Sequence, residues 1–114
     1  MANEKSDEER FDFPLIKPIN VFGEMTAVLK WRKPNGTDFV RVGNPVVAYP
    51  GSHPMRIEHD MPKVLAMVAR MTDAPVSSLE RMDTVDMANW AWLLTSFFLP
   101  EYQRTAPPEE ELTP

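Results

Sequence analysis

The chain has 114 residues, a formal net charge of −5, 12 prolines and no cysteine. Its length allows one domain with a single modest core, and the lack of cysteine excludes a disulfide scaffold and a thiolate metal site and fits a reducing cytosol. No run of about 18 apolar residues predicts a membrane span, and the negative net charge argues against general nucleic-acid binding because it repels phosphate.

The two ends of the chain are polar. Residues 1–10 and the acidic residues 101–114 lack apolar anchors and are predicted to be disordered tails, and residues 1–10 are too charged for a secretory signal. Residues 11–100 are predicted to form one domain of the α+β class, with a small N-terminal antiparallel β-hairpin or meander followed by two to three α-helices. The β part covers residues 14–43, a proline-rich connector covers residues 44–58, and the helical part covers residues 60–99.

The β part is predicted from alternation and turn signals. Apolar and polar side chains alternate over residues 25–32, which is typical of a half-buried strand. Asn35-Gly36 is a strong turn signal, so residues 39–42 are predicted to be the returning strand. Residues 15–19 are predicted to be a short edge strand because Pro14 and Pro18 flank or interrupt it, and Gly23 marks a bend.

The helical part is predicted from caps and periodicity. Asp60 caps an amphipathic helix over residues 61–72, whose first turn tolerates Pro62. Residues 77–80 resemble a capping box that opens a short helix. Asp83 caps the last helix, Asp86 suits its first turn, and Pro100 ends it near residue 99.

The last helix carries no charge between Asp86 and Glu101. On a helical wheel the larger apolar arc consists of Met87, Trp90, Ala91, Leu94, Phe97 and Phe98, and a second arc consists of Val85, Ala88, Trp92 and Leu99. Asp86, Asn89 and Ser96 form a thin polar strip. Both arcs belong to the core, or one of them faces a partner. The larger arc is expected inside and Trp92 and Leu99 outside. The candidate partner-binding residues are Met87, Trp90, Trp92, Leu94, Phe97, Phe98 and Leu99.

Signals for catalysis are absent from the sequence. The four glycines form no phosphate loop. His53 and His59 match no common zinc spacing, and His59 beside Asp60 is interpreted as a solvated histidine next to a helix cap. The basic and aromatic stretch from Lys30 to Arg41 could bind nucleic acid but is interpreted as a solvated sheet face. We therefore expect a binding protein that is not an enzyme, with no cofactor and no metal.

Several short motifs follow one another between about residues 14 and 99. They are Leu15, Lys17, Pro18 and Ile19; Gly23; Leu29, Arg32 and Pro34; Asp38-Phe39-Val40-Arg41; Leu79, Met82, Asp83 and Asp86; and the helix end at Phe97-Phe98-Leu99. In this order they resemble the small tail assembly chaperones of contractile-tailed bacteriophages, a group that includes the gpE-like proteins. Two features depart from that pattern, because Met82 stands where leucine is usual and the connector at 44–54 is longer than typical.

The resemblance implies a function and a partner. Chaperones of this family bind the long helical tape measure protein before the tail tube polymerises around it. They act in the host cytoplasm and are not expected in the mature virion. A contact with the tail tube protein through a longer, frameshifted form and assembly into a homo-oligomer stay open.

Two other interpretations are kept. The first is a minor structural protein of the tail or baseplate that self-associates through its C-terminal helix. The second is a nucleic-acid-binding regulator that uses the stretch from Lys30 to Arg41.

Overall fold

The computed structural model describes residues 9–49 and 51–99. In chain order they form β1 (Phe11–Val21), β2 (Glu24–Trp31), α1 (Gly36–Val42), β3 (Val46–Tyr49), β4 (Arg56–His59), α2 (Met61–Thr72), α3 (Val76–Leu79) and α4 (Thr84–Phe98). The strands pair as two separate antiparallel hairpins, so the predicted α+β class is confirmed. Residues 1–8 and 101–114, where tails were predicted, lie outside the described residues.

The first hairpin joins β1 to β2 through a two-residue turn. Val21 pairs with Glu24, and the turn residues Phe22 and Gly23 have φ angles of 53° and 86°. Two positive φ angles define the primed turn that suits the twist of a hairpin. The bend predicted at Gly23 is therefore this turn, and the predicted edge strand over 15–19 is part of the longer β1.

The pairing register shifts between Pro14 and Ile19, where β1 bulges. Ile19 of β1 is buried on the side of the bulge nearer the turn, and the buried residues of β2 lie on the other side. Leu29 and Trp31 of β2 are buried, whereas Met25 in the same alternation is 67% exposed. The period of two therefore predicts the inner face correctly only in the second half of β2.

The returning strand predicted at residues 39–42 is wrong, because this segment belongs to helix α1. Asn35 is its N-cap: the Asn35 side chain accepts from the Asp38 N–H, and the Asp38 carboxylate accepts from the Asn35 N–H. This reciprocal pair satisfies two backbone N–H groups at the start of the helix, where no acceptor within the helix is available. The asparagine that predicted a turn is the cap of a helix.

The connector predicted over residues 44–58 is not simply extended, because it contains the β3–β4 hairpin. Val46 pairs with His59 and Tyr49 pairs with Arg56. Val46 is buried, and the Asp60 N–H donates to the Pro45 carbonyl oxygen at 2.9 Å, which ties the start of α2 to the start of β3.

Helix α2 spans Met61–Thr72, as predicted, and the Asp60 side chain accepts from the Lys63 N–H. The capping box predicted at residues 77–80 is wrong. Helix α3 has Pro75 at its N-cap, with no side-chain cap bond, and its four residues begin at Val76. Proline fixes the backbone at this position, so the turn forms without a capping side chain.

The core lies between the first hairpin, α2 and α4. Trp90 of α4 stacks on Phe13 of β1 with ring centroids 4.0 Å apart, and it meets the edge of Trp31 of β2 at 6.1 Å. From α2, Val64, Met67, Val68 and Met71 contribute fully buried side chains. Methionine is unbranched and flexible, so it adapts to irregular space in such a core.

Candidate partner-binding surface

Helix α4 begins and ends where the sequence predicts. The Asp83 side chain accepts from the Val85 N–H at 2.9 Å, and Leu99 takes the C-cap position. Trp90, Ala91 and Leu94 are buried, and Trp92 is 60% exposed. The larger arc therefore faces the core and Trp92 faces outward.

Two of the predicted partner-binding residues cannot take that role in this fold. Trp90 and Leu94 have no exposed surface, because the first hairpin and α2 cover them. Met87, Phe97, Phe98 and Leu99 are half-buried. The candidate surface is thus reduced to the exposed Trp92 and to those four residues at the margin of the core.

The outer arc of α4 carries two large apolar side chains. Trp92 is 60% exposed and Val85 is 49% exposed. The Trp92 ring meets the His59 ring of β4 edge-on, with centroids 5.1 Å apart. The β3–β4 hairpin thereby supports one edge of Trp92 and leaves the rest of its face open.

His59 is not the solvated histidine that the sequence predicts. Its Nε2 lies 2.8 Å from the Thr95 Oγ1, and the Thr95 hydroxyl donates to the Ala91 carbonyl oxygen at 3.0 Å. Burial lowers the pKa of His59, which favours the neutral ring. Asp60, next to it, is a helix cap as predicted.

A groove opens between α1 and the end of α4. Its volume is about 570 Å³, and it is lined by Pro34, Asn35, Gly36, Phe39, Asn44, Phe97, Phe98 and Leu99. Phe39 is 45% exposed, and its ring stacks on that of Phe98 with centroids 5.9 Å apart. Three of the predicted residues, Phe97, Phe98 and Leu99, therefore lie together in the lining of this groove.

Phe39 is a groove residue that the sequence interpretation missed. Residues 39–42 were expected in a strand, which hid the fact that Phe39 shares a helix with the cap at Asn35. The spacing of Asn35 and Asp38 was the available signal, since an acceptor three residues before an acid is typical of a helix start.

Asp86 fixes α4 to the first hairpin. The sequence places it on a polar strip, but it is only 1% exposed. Both of its carboxylate oxygens accept from the Ile16 N–H at 3.0 Å, and one accepts from the Lys17 N–H at 3.3 Å. These two donors lie in the bulge, where β1 leaves its pairing with β2. The carboxylate thus takes the place of the missing strand partner.

A second buried carboxylate, Asp38, joins β2, α1 and α2. It accepts from the Arg32 guanidinium at 2.7 and 3.0 Å and from the Arg70 Nε at 2.8 Å. Burial alone would raise the pKa of Asp38, but the two arginines and the Asn35 N–H outweigh it and hold the pKa well below its usual range. This ion pair network sets the position of α1 and hence of Phe39.

The basic stretch does not form one surface. Trp31 is 9% exposed, so its ring cannot stack on a base. Arg32 is bound to Asp38, and Lys30 Nζ lies 2.6 Å from an Asp12 carboxylate oxygen. The interpretation as a nucleic-acid site therefore loses its aromatic component.

Within residues 9–49 and 51–99 no three His, Asp or Glu side chains are grouped as a metal site requires. In the same part of the chain no helix is long and apolar enough to cross a bilayer.

Comparison with family models, with curated proteins and with solved structures gives no match. The similarity to phage tail chaperones therefore rests on the order of the sequence motifs.

Proposed function

We propose that this protein is a bacteriophage tail assembly chaperone that binds the tape measure protein and keeps it soluble before the tail tube polymerises. The observation that carries the proposal is the outer arc of α4, where Trp92 is 60% exposed on a helix without a charge after Asp86. Exposed aromatic side chains of this size are typical anchors of protein interfaces. The order of the motifs from Leu15 to Leu99 resembles that of tail assembly chaperones, and this resemblance supports the choice of family and partner.

The groove beside α1 supports the same role. An unassembled tape measure protein exposes the apolar faces of its helices, and such a face binds by placing its side chains in an apolar groove. The groove next to Phe98 has a volume of about 570 Å³, which is space for several side chains. The net charge of −5 would keep the complex soluble.

Co-expression of the full chain with the tape measure protein from the same genome tests the proposal. We expect a soluble complex, and we expect Trp92→Ala and Phe98→Ala to weaken it. Val28→Ala is the matched control, since Val28 is exposed to 40% on β2 and belongs neither to α4 nor to the lining of the groove. The proposal fails if the wild-type chain forms no complex.

A second experiment separates the structural alternative. A minor tail or baseplate protein that self-associates through α4 would remain in finished particles. Mass spectrometry of purified virions should not find a chaperone, and its presence there would favour the structural role.

A further inference from the structure

The tip of the first hairpin exposes apolar side chains that the fold leaves uncovered. Phe22 is 78% exposed and Met25 is 67% exposed. Phe22 has a φ angle of 53°, a left-handed conformation that bulky side chains rarely adopt. Asparagine is the residue that the first position of a primed turn favours. Folding alone therefore does not account for a phenylalanine here, and a strained, exposed residue indicates a binding role.

A groove lies beside this tip. Its volume is about 230 Å³, and it is lined by Lys17, Pro18, Ile19, Asn20, Met25 and Arg81. It continues into a polar cavity of about 400 Å³, which shares Asn20 and Arg81 and adds Ser77 and Ser78. Two of the groove residues, Asn20 and Met25, pair across the hairpin next to the turn that carries Phe22.

The two cations of this groove have no ion-pair partner in the part of the chain that the structure describes. Lys17 and Arg81 are both exposed. The described ion pairs use Arg10, Lys30, Arg32, Arg56 and Arg70 instead. In a chain with a net charge of −5, two adjacent unpaired cations beside an apolar tip form a surface suited to carboxylates.

The backbone of this region is held in place before any partner binds. The Asp86 carboxylate accepts from the Lys17 N–H, and the Asn20 side chain accepts from the Gly23 N–H at 2.8 Å. Both ends of the groove wall are therefore fixed by side chains. A preformed surface loses less conformational entropy when it binds.

We propose that the hairpin tip and this groove form a second contact region for the partner protein. It takes a segment in which apolar side chains are flanked by carboxylates. The apolar side chains contact Phe22 and Met25, and the carboxylates contact Lys17 and Arg81. This inference rests on the proposed function, because the partner is the tape measure protein.

The test is a competition experiment with full-length chains. A complex of the tagged wild-type chain with the tape measure protein is challenged with untagged variants. The concentration of untagged chain that displaces half of the tagged chain is measured. Phe22→Asn should compete about 30-fold more weakly while the fold becomes no less stable, since asparagine suits the turn. The double variant Lys17→Glu with Arg81→Glu should compete at least about tenfold more weakly at low salt, and the deficit should shrink at high salt.

The matched control is Arg41→Glu with Lys63→Glu, which reverses two other exposed cations and changes the net charge equally. It should compete like the wild type. If the tip variants compete like the wild type while Trp92→Ala does not, the inference is overturned and the proposed function stands. If the wild type forms no complex, both are overturned. A dimer in light scattering that Phe22→Asn dissolves would make the occupant a second copy of this chain and would also overturn the inference.

Discussion

Replacing Asp38 with asparagine should remove much of the stability of this domain. The carboxylate is fully buried. One oxygen accepts from Arg32 Nη2 and Arg70 Nε, and the other accepts from Arg32 Nη1 and the Asn35 N–H. Either orientation of an amide would therefore point its NH2 group at two donors. Breaking a buried ion pair from one side costs about 3 to 5 kcal/mol, which for a domain of this size lowers Tm by roughly 12 °C or more.

Urea denaturation followed by circular dichroism measures this loss. The control is Asp12→Asn, which breaks the pair of Lys30 and Asp12, whose side chains are 67% and 61% exposed. Exposed pairs contribute less than about 1 kcal/mol, so this variant should unfold almost like the wild type. Equal midpoints for the two variants would refute the assignment of Asp38 as a structural centre.

The Asp38→Asn variant also tests how the stabilisation by Asp38 depends on pH. The folded pKa of Asp38 is lowered, so its contribution is complete above the unfolded pKa of about 3.9 and is lost as the pH falls through the folded value. The difference in unfolding free energy between wild type and Asp38→Asn should be constant above about pH 5 and should shrink below about pH 4. A difference that grows on acidification would contradict the ion pair network.

Three further predictions concern α4 and its contacts. Asp86→Asn should cost about 2 to 3 kcal/mol, because it leaves the Ile16 N–H without a charged acceptor, and hydrogen exchange at that amide should become faster. Wild-type stability should fall as the pH drops below 6.5, because burial lowers the folded pKa of His59 and the unfolded chain binds the proton more readily; this step should be absent from denaturation curves of His59→Gln. Trp92→Ala should change the free energy of unfolding by less than about 1 kcal/mol, whereas Trp90→Ala should cost about 3 to 5 kcal/mol, and a reversed order would mean that the two arcs of α4 are misassigned.

The elements that the sequence predicts well are those whose signals are local. Helices α2 and α4 each begin at an aspartate cap, and each repeats apolar residues at helical spacing. Caps and periodicity act within one or two turns, so neighbouring elements seldom override them. The bounds of both helices agree with the prediction because Asp60 and Asp83 fix where they begin.

The errors in the structure prediction arise where contacts with residues in other elements help to determine the local structure. Residues 36–42 form a helix although Val40 and Val42 favour a strand, because the cap at Asn35 starts the helix and Asp38 binds Arg70, which lies 32 residues away in α2. The burial of Asp86 is equally invisible from its neighbours in the chain, since its donors lie 69 and 70 residues away. In the sequence, an acid at the start of an apolar helix looks like a simple cap, because nothing close to it in the chain indicates that it binds the bulge of β1.

The residues that carry the family resemblance act mainly inside this fold, and this bears on where partner specificity lies. Leu29, Leu79 and Met82 belong to the core, Arg32 binds the buried Asp38, and Asp86 holds the bulge of β1. A shared set of this kind specifies the scaffold, because each member fills the core or satisfies a buried polar group. Of the side chains proposed to contact a partner, Phe22, Met25 and Trp92 stand outside that set, whereas Lys17 and Phe98 belong to it. We therefore expect selectivity for one partner over another to depend mainly on Phe22, Met25 and Trp92, and exchanging these three residues between two such scaffolds should change which partner is retained in a pull-down without changing the fold.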